Sequence, residues 1–410
     1  MKVVDRSMAR VGRCTGTARR LKHDAQGSFS ALALLLSIVG CQNVSTTSQT
    51  EPFPGGGTCL YSGHLVDRLE AFGDKIGRSI ECAVVFNNAA PTWADLEMPW
   101  FVVHGDPNRN WAEWKRAQPE RRLIISQALV PDGVPEDWRE RGAGGEYDEH
   151  ARALAINLVA VGLGDSVIRL SHEANGLWTK DGLGVDPARY DAWRETWRRF
   201  ATAMDSVPGA VFEFDWTVNA GVRPVPFEAY YPGDDVVDYV GVDIYDYWED
   251  ERHGPVPADP QERWDTQFHE PAGVAELFAF ADAHDKPITI PEWGLSAPWI
   301  KGGAGDNPMF VENVAKMVRD HDVVYQSYFE KSEDLLLVDA PLSLEAYRRA
   351  FAAASATSPA ARNSCRFDGT ASAEASGCRI GQRAAAGVPT PLSAPQSIAR
   401  STQEDPGDEP

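Results

Sequence analysis

Basic residues are scarce: 39 Lys and Arg face 60 Asp and Glu in 410 residues, a formal charge of -21. Seven of the basic residues and two of the acids fall within residues 1–40, so the remainder carries 32 against 58, or -26. A surface of that sign repels phosphate backbones and argues against nucleic acid as a partner. No Gly-rich dinucleotide or phosphate loop follows any apolar run, which counts against a nucleotide-binding open sheet. The apolar run at 29–39 is too short to span a bilayer as a stop-transfer helix. Cysteine is sparse as well. Beyond Cys14 and Cys41 there are four, Cys59, Cys82, Cys365 and Cys378, which allow three pairings or four free thiols. Proximity in sequence favours Cys59 with Cys82 and Cys365 with Cys378. No cluster of ligating residues stands out, so neither metal nor cofactor is expected.

The start has the pattern of an export signal. Arg10, Arg13, Arg19, Arg20 and Lys22 precede the run at 29–39, which ends Ser37-Ile38-Val39-Gly40-Cys41. This resembles the lipobox of bacterial lipoproteins. Residues 1–40 would then be a signal peptide, Cys41 the lipidated first residue, and the cell envelope the destination, with the lipid as the only membrane contact. Residues 41–57, rich in Ser, Thr, Pro and Gly, read as a tether. Residues 354–410 shift to Ala, Ser, Pro and Gly and read as a disordered tail.

Between them the chain alternates. Apolar runs at 59–61, 82–86, 100–103 and 123–125 supply three barrel strands and one candidate too many. A helix follows from Asp148 to Gly162, then a strand at 167–170. Asp186 and Pro187 open a helix whose Tyr190, Trp193, Trp197, Phe200 and Met204 recur at steps of three and four, an amphipathic stripe for packing. Strands at 210–216 and 238–244 enclose a stretch without a good helix. A helix at 271–284, a strand at 287–291, a helix from Asn307-Pro308, a strand at 323–329 and a helix at 343–353 complete the chain. Repeated alternation implies a parallel sheet, and a (β/α)8 TIM barrel over residues 58–353 is preferred.

Polarity flips abruptly at the end of two of these strands. Val167, Ile168 and Leu170 run into Ser171, His172 and Glu173; Ile288, Thr289 and Ile290 run into Pro291, Glu292 and Trp293. Active sites of barrels lie at the carboxyl ends of the strands. Two strand-terminal glutamates fit the carboxylate pair of glycoside hydrolysis, although carboxylates also occur in structural networks. His172-Glu173 is not the zinc protease signature, because a second His at helical spacing is missing. The 13 Trp offer flat apolar faces suited to sugar rings, yet core packing is the ordinary role of any one of them.

With both glutamates in place, the chain resembles glycoside hydrolase family 26, the β-mannanase family of the retaining (β/α)8 clan. Arg169, His172, Glu173, Asn175, Gly176 and Trp178 match a pattern like Arg-x-x-His-Glu-x-x-Gly-x-Trp. Tyr231-Pro232-Gly233-Asp234-Asp235, the run Val240 to Tyr245, and Glu292-Trp293-Gly294 are similar to the family's other marks. The resemblance covers roughly residues 58–353. It implies a nucleophile at Glu292 and an acid/base at Glu173, with Tyr245 hydrogen-bonded to the nucleophile and His172 against the sugar at the cleavage subsite. Trp178 and Trp293 are expected as sugar platforms, Trp216 and Asn219 as further contacts, and Arg169 and Asn175 as supports. Thr179 and Lys180 follow Trp178 where many mannanases carry more aromatics, and no carbohydrate-binding module is present. The resemblance therefore implies a monomeric, endo-acting retaining β-glycosidase with β-1,4-mannan as first substrate, while mixed-linkage glucan, xylan or an exopolysaccharide stay open. The other class is a polysaccharide-binding lipoprotein that cuts nothing; two facing carboxylates and Tyr245 argue against it.

Overall fold

In the computed structural model, which describes residues 53–88, 90–331 and 336–351, eight parallel strands close into a barrel in sequence order. They are β1 (Thr58–Tyr61), β2 (Cys82–Asn87), β3 (Arg122–Gln127), β4 (Val167–Leu170), β5 (Glu213–Asn219), β6 (Tyr239–Asp246), β7 (Ile288–Leu295) and β8 (Gln326–Phe329). Leu60 of β1 pairs with Ala83 of β2, and Thr58 with Gln326 of β8, which closes the ring. The expected (β/α)8 barrel is what forms. The expectations for Cys41, for residues 1–52 and 352–410, and for Cys365 with Cys378 lie outside the described residues. Phe53, in the stretch read as tether, is buried and stacks on Tyr325 with ring centroids 4.9 Å apart.

Side-chain alternation sorts each strand into two faces. Outward residues such as Ile125, Ile168, Val218, Val242 and Ile290 belong to a large apolar layer under the helices. Inward residues form a smaller cluster at the amino ends of the strands, Cys59, Cys82, Val84, Ile124 and Val167. The Cys59–Cys82 disulfide lies in this inner cluster and ties β1 to β2. Toward the carboxyl ends the interior turns polar, with Ser126, Arg169, Asp215, Thr217, Asp243 and Thr289 all buried. That switch prepares the site.

Several elements differ from the sequence reading. The run at 100–103 is a short helix, Trp100–Val103, after Pro99, so the surplus strand candidate is resolved. A helix at Pro260–His269, not foreseen, starts at Asp259, whose side chain accepts from Gln261 N. Between β5 and β6 only a 3-10 turn forms, Phe227–Ala229. The helices Asp148–Ala160, Tyr190–Asp205, Val274–Ala283, Pro308–Asp320 and Pro341–Phe351 lie where periodicity and caps put them, within a few residues. Among the described residues no helix is long and apolar enough to cross a membrane.

Candidate active site

Glu173 stands three residues beyond β4 in a tightly held loop. Ser171 and Glu173 both have positive φ, 52° and 51°, a conformation that costs a non-glycine residue about 1–3 kcal/mol. The surrounding bonds offset that cost. Ser171 N donates to Gln127 O at 2.8 Å, Gly176 N to Glu173 O at 2.7 Å and Leu183 N to Ala174 O at 2.8 Å. The two Trp of the amphipathic helix reach in from outside: Trp197 Nε1 donates to Leu170 O and Trp193 Nε1 to Asp181 O, each at 2.8 Å. Their packing role is as expected, and they also secure the loop that carries Glu173.

Both oxygens of Glu173 accept a hydrogen bond, Oε1 from Asn219 Nδ2 at 2.5 Å and Oε2 from Trp178 Nε1 at 2.8 Å. Asn175 positions Asn219, accepting from its backbone N at 2.9 Å and donating to its O at 2.8 Å. Gly176 is required because a Cβ there would stand 2.4 Å from the Trp178 ring. Burial, with the Glu292 charge second, pushes the Glu173 carboxyl up to about 7 against the pull of Asn219, Arg169 and Trp178.

Glu292 faces the interior through a local irregularity. Gly241 of β6 pairs with Thr289 of β7, but Asp243 pairs with Glu292, so β7 spends three residues where β6 spends two. Thr289 bonds Asp215 inside the barrel at 2.7 Å, and strict alternation would then put Pro291 inside and Glu292 outside. The extra residue, a β-bulge at Pro291, reverses this. Glu292 Oε1 accepts from Arg169 Nη1 at 2.6 Å and Oε2 from the Tyr245 hydroxyl at 2.9 Å.

Arg169 is fully buried and organises the floor. It donates to Asp243 Oδ2 at 2.6 Å and to Ser126 Oγ at 2.8 Å as well as to Glu292. Burial alone would lower its pKa; Asp243 and Glu292 more than reverse this and fix the guanidinium as a cation. Asp243 was not singled out from the sequence, although an acid inside the apolar stretch Val240 to Ile244 was a readable signal. Burial raises its carboxyl well above the usual range despite Arg169. Glu173, Asp243 and Glu292 bring oxygens within 4.8 Å of one another, close enough to hold a metal ion. Arg169 already supplies positive charge to two of the three.

One expected platform, Trp293, and one expected further contact, Trp216, are not in the cleft. β7 continues to Leu295 instead of ending at Pro291, so Trp293, one residue past inward-facing Glu292, points outward. It is buried in the helical layer, with its indole on Gln326 Oε1 at 2.5 Å and its ring stacked on Tyr347. Trp216 lies in the middle of β5 and likewise faces outward, packed against Tyr230, Tyr231 and Phe280. Both are core residues. The motif at residues 231–235 braces helices, with Asp235 paired to Arg198 at 2.6 Å and Asp234 to His284 at 2.8 Å.

His172 is buried edge-on to Phe86, centroids 5.2 Å apart, and burial, then Arg169, lowers its pKa to about 4, so the imidazole is neutral. Phe86 continues into an aromatic group with Tyr61, His64 and Phe329 at the carboxyl ends of β1, β2 and β8. Aromatics ending strands were visible in the sequence, but their convergence was not. On the opposite side a cleft of about 360 Å³ is lined by Trp178, Asn219, Tyr245, Tyr247, Arg252 and Ile300, among others. Trp178 is 54% exposed there.

The sequence profile of glycosyl hydrolase family 26 matches residues 164–328. No curated protein matches the chain. Among solved structures, a GH26 β-mannanase from Bacteroides ovatus is 15% identical with a TM-score of 0.50, over 73% of this chain and 88% of that one. A modular endo-β-1,4-mannanase from Cellulomonas fimi is 15% identical with a TM-score of 0.49, over 73% and 71%. At such identity the likeness is one of fold. The profile match spans the strands that carry Glu173 and Glu292, and on it the chain is a glycoside hydrolase that is similar to glycosyl hydrolase family 26 over residues 164–328.

Proposed function

We propose that the protein is an endo-acting retaining β-glycosidase that cuts a β-linked polysaccharide, β-1,4-mannan first among them, by double displacement. The observation that carries this reading is the pair of glutamates whose oxygens approach within 4.8 Å in unlike surroundings. An inverting pair is held about 6.5–9.5 Å apart to admit a water, whereas a retaining pair stands at about 5–5.5 Å. Glu292, aligned by Arg169 and Tyr245, attacks the anomeric carbon as the glycosidic C–O bond breaks. The leaving oxygen takes the electron pair of that bond and a proton from Glu173, whose carboxyl, raised to about 7, is still partly protonated at neutral pH. Glu173 then removes a proton from water, the hydroxide oxygen bonds the anomeric carbon, and Glu292 leaves as carboxylate. Mannan is favoured by the activity named for the Bacteroides ovatus relative.

Proton NMR of the first products released from a β-mannan oligosaccharide tests the reading. The β anomer should appear before mutarotation, and Glu292→Ala should release none. An initial α anomer would mean inversion and would remove Glu292 as nucleophile. We also propose that the enzyme is exported and anchored through Cys41, on the basic segment, the short apolar run and the lipobox-like Ser37 to Cys41.

A further inference from the structure

Trp299 is 73% exposed, the most exposed large apolar side chain among the described residues. It does not sit on a loose loop. Ile300 N donates to Ala297 O at 3.0 Å, which makes Pro298 and Trp299 the central residues of a β-turn, and proline fixes its φ there. Behind the turn, Gly305 N bonds Ser296 O at 2.9 Å and Trp248 N bonds Gly302 O at 3.0 Å. Arg263 Nη2 bonds Gly302 O at 2.7 Å, and Tyr247 bridges to Gly303. The fit is close enough to demand glycine: a Cβ on Gly302 would lie 2.0 Å from Trp248 O, and one on Gly303 2.1 Å from Ala297 O. A braced turn thus presents an indole to water, and the burial that an indole ordinarily gains is forgone.

The turn is also a wall of the cleft. Ile300, the residue after Trp299, lines the cleft with Trp178, Tyr245 and Tyr247. Tyr245 bonds Glu292 and Trp178 bonds Glu173, so the cleft opens directly from the reacting groups. The Pro298-Trp299 tip is therefore one residue from the lining of that cleft. We infer that Trp299 is a distal saccharide platform, a binding position at least one sugar beyond the scissile bond, where the indole stacks on the C–H face of a pyranose ring. Its aromatic face supplies contact area at little conformational cost, because the turn is already rigid. The inference rests on the polysaccharide reading above.

The test compares wild type, Trp299→Ala and Trp299→Phe on β-mannan, mixed-linkage glucan and xylan, and on an aryl glycoside of one sugar. For the polymer that wild type cuts, Trp299→Ala should raise KM and lower kcat/KM about tenfold, weaken retardation in an affinity gel containing that polymer, and leave kcat nearly constant. The effect should grow with chain length and be less than twofold on the aryl glycoside, and Trp299→Phe should recover most of the loss. If Trp299→Ala cuts and binds the polymer like wild type, the platform is refuted while the enzyme reading stands. Equal loss on polymer and aryl glycoside would mark a structural role and refute it too, as would unchanged polymer kinetics with a shift from dimer to monomer. A wild type that cuts none of the three polymers overturns the substrate reading, and this inference with it.

Discussion

Neutralising Glu292 should lower the pKa of Glu173, and the structure sets the size of the change. A neighbouring negative charge disfavours ionisation of Glu173, so removing it must move the pKa down. Unit charges on oxygens 4.8 Å apart, the widest spacing in the set, repel by roughly 3.5 kcal/mol at an effective dielectric constant of about 20. That is about 2.5 pKa units before the Arg169 cation bonded to Glu292 screens it. Burial contributes more than Glu292 to the rise to about 7, and Asn219, Arg169 and Trp178 oppose it. Burial and the opposing groups are unchanged in Glu292→Gln, which keeps shape and removes charge. A fall of about one to two units is therefore expected. The assay is a carbon NMR titration of glutamate-labelled protein, with the Glu173 signal identified by its loss in Glu173→Gln. In wild type the same group sets the alkaline limb of activity: its proton is needed, so kcat/KM should fall as pH rises through about 7. A Glu173 pKa that stays within about 0.3 unit in Glu292→Gln, or rises, would refute the coupling and with it the division of roles between the two glutamates.

Glu173→Ala should lose little activity on aryl glycosides with good leaving groups, which need no proton, and much on polysaccharide. Azide should restore turnover and give a β-glycosyl azide; equal loss on all substrates without rescue would remove Glu173 as acid/base. For export, a fatty acid analogue should label the protein in the membrane fraction at Cys41, and Cys41→Ser should be unlabelled and soluble. Wild type found unlabelled in the soluble fraction would end that proposal.

Much of the barrel was legible because its signals are local. Apolar runs that flip polarity marked β4 and β7, and caps such as Asn307 with Pro308 marked helix starts. The errors came where a partner decided the outcome. Trp100 to Val103 has the composition of a strand, but β2 and β3 pair directly with each other, from Cys82 opposite Arg122 to Asn87 opposite Gln127. No edge is left between them for another strand, and the run turns into a helix. The helix Pro260–His269 was missed because its buried face includes Arg263 and Gln267 beside Trp264, so it lacks an apolar stripe, although Asp259-Pro260 was a readable start.

The site was legible residue by residue and illegible as an arrangement. Arg169 could be placed beneath the reacting groups, but its bonds to Ser126, Asp243 and Glu292 span 43, 74 and 123 residues, and only barrel closure and register bring those strands together. Trp293 shows how register decides function. Read with β7 ending at Pro291, it belonged to a loop and could face a sugar; with β7 running to Leu295, its neighbour's inward direction sends it outward into the core. That inward direction is itself set by one extra residue. A strict two-residue period from Thr289 would bury Glu292 under the helices and turn Pro291 to the centre, leaving Arg169 and Tyr245 without the carboxylate they both hold. The bulge at Pro291 is therefore as much a determinant of the nucleophile as the glutamate, since it alone converts an acid in the right strand into one in the right place.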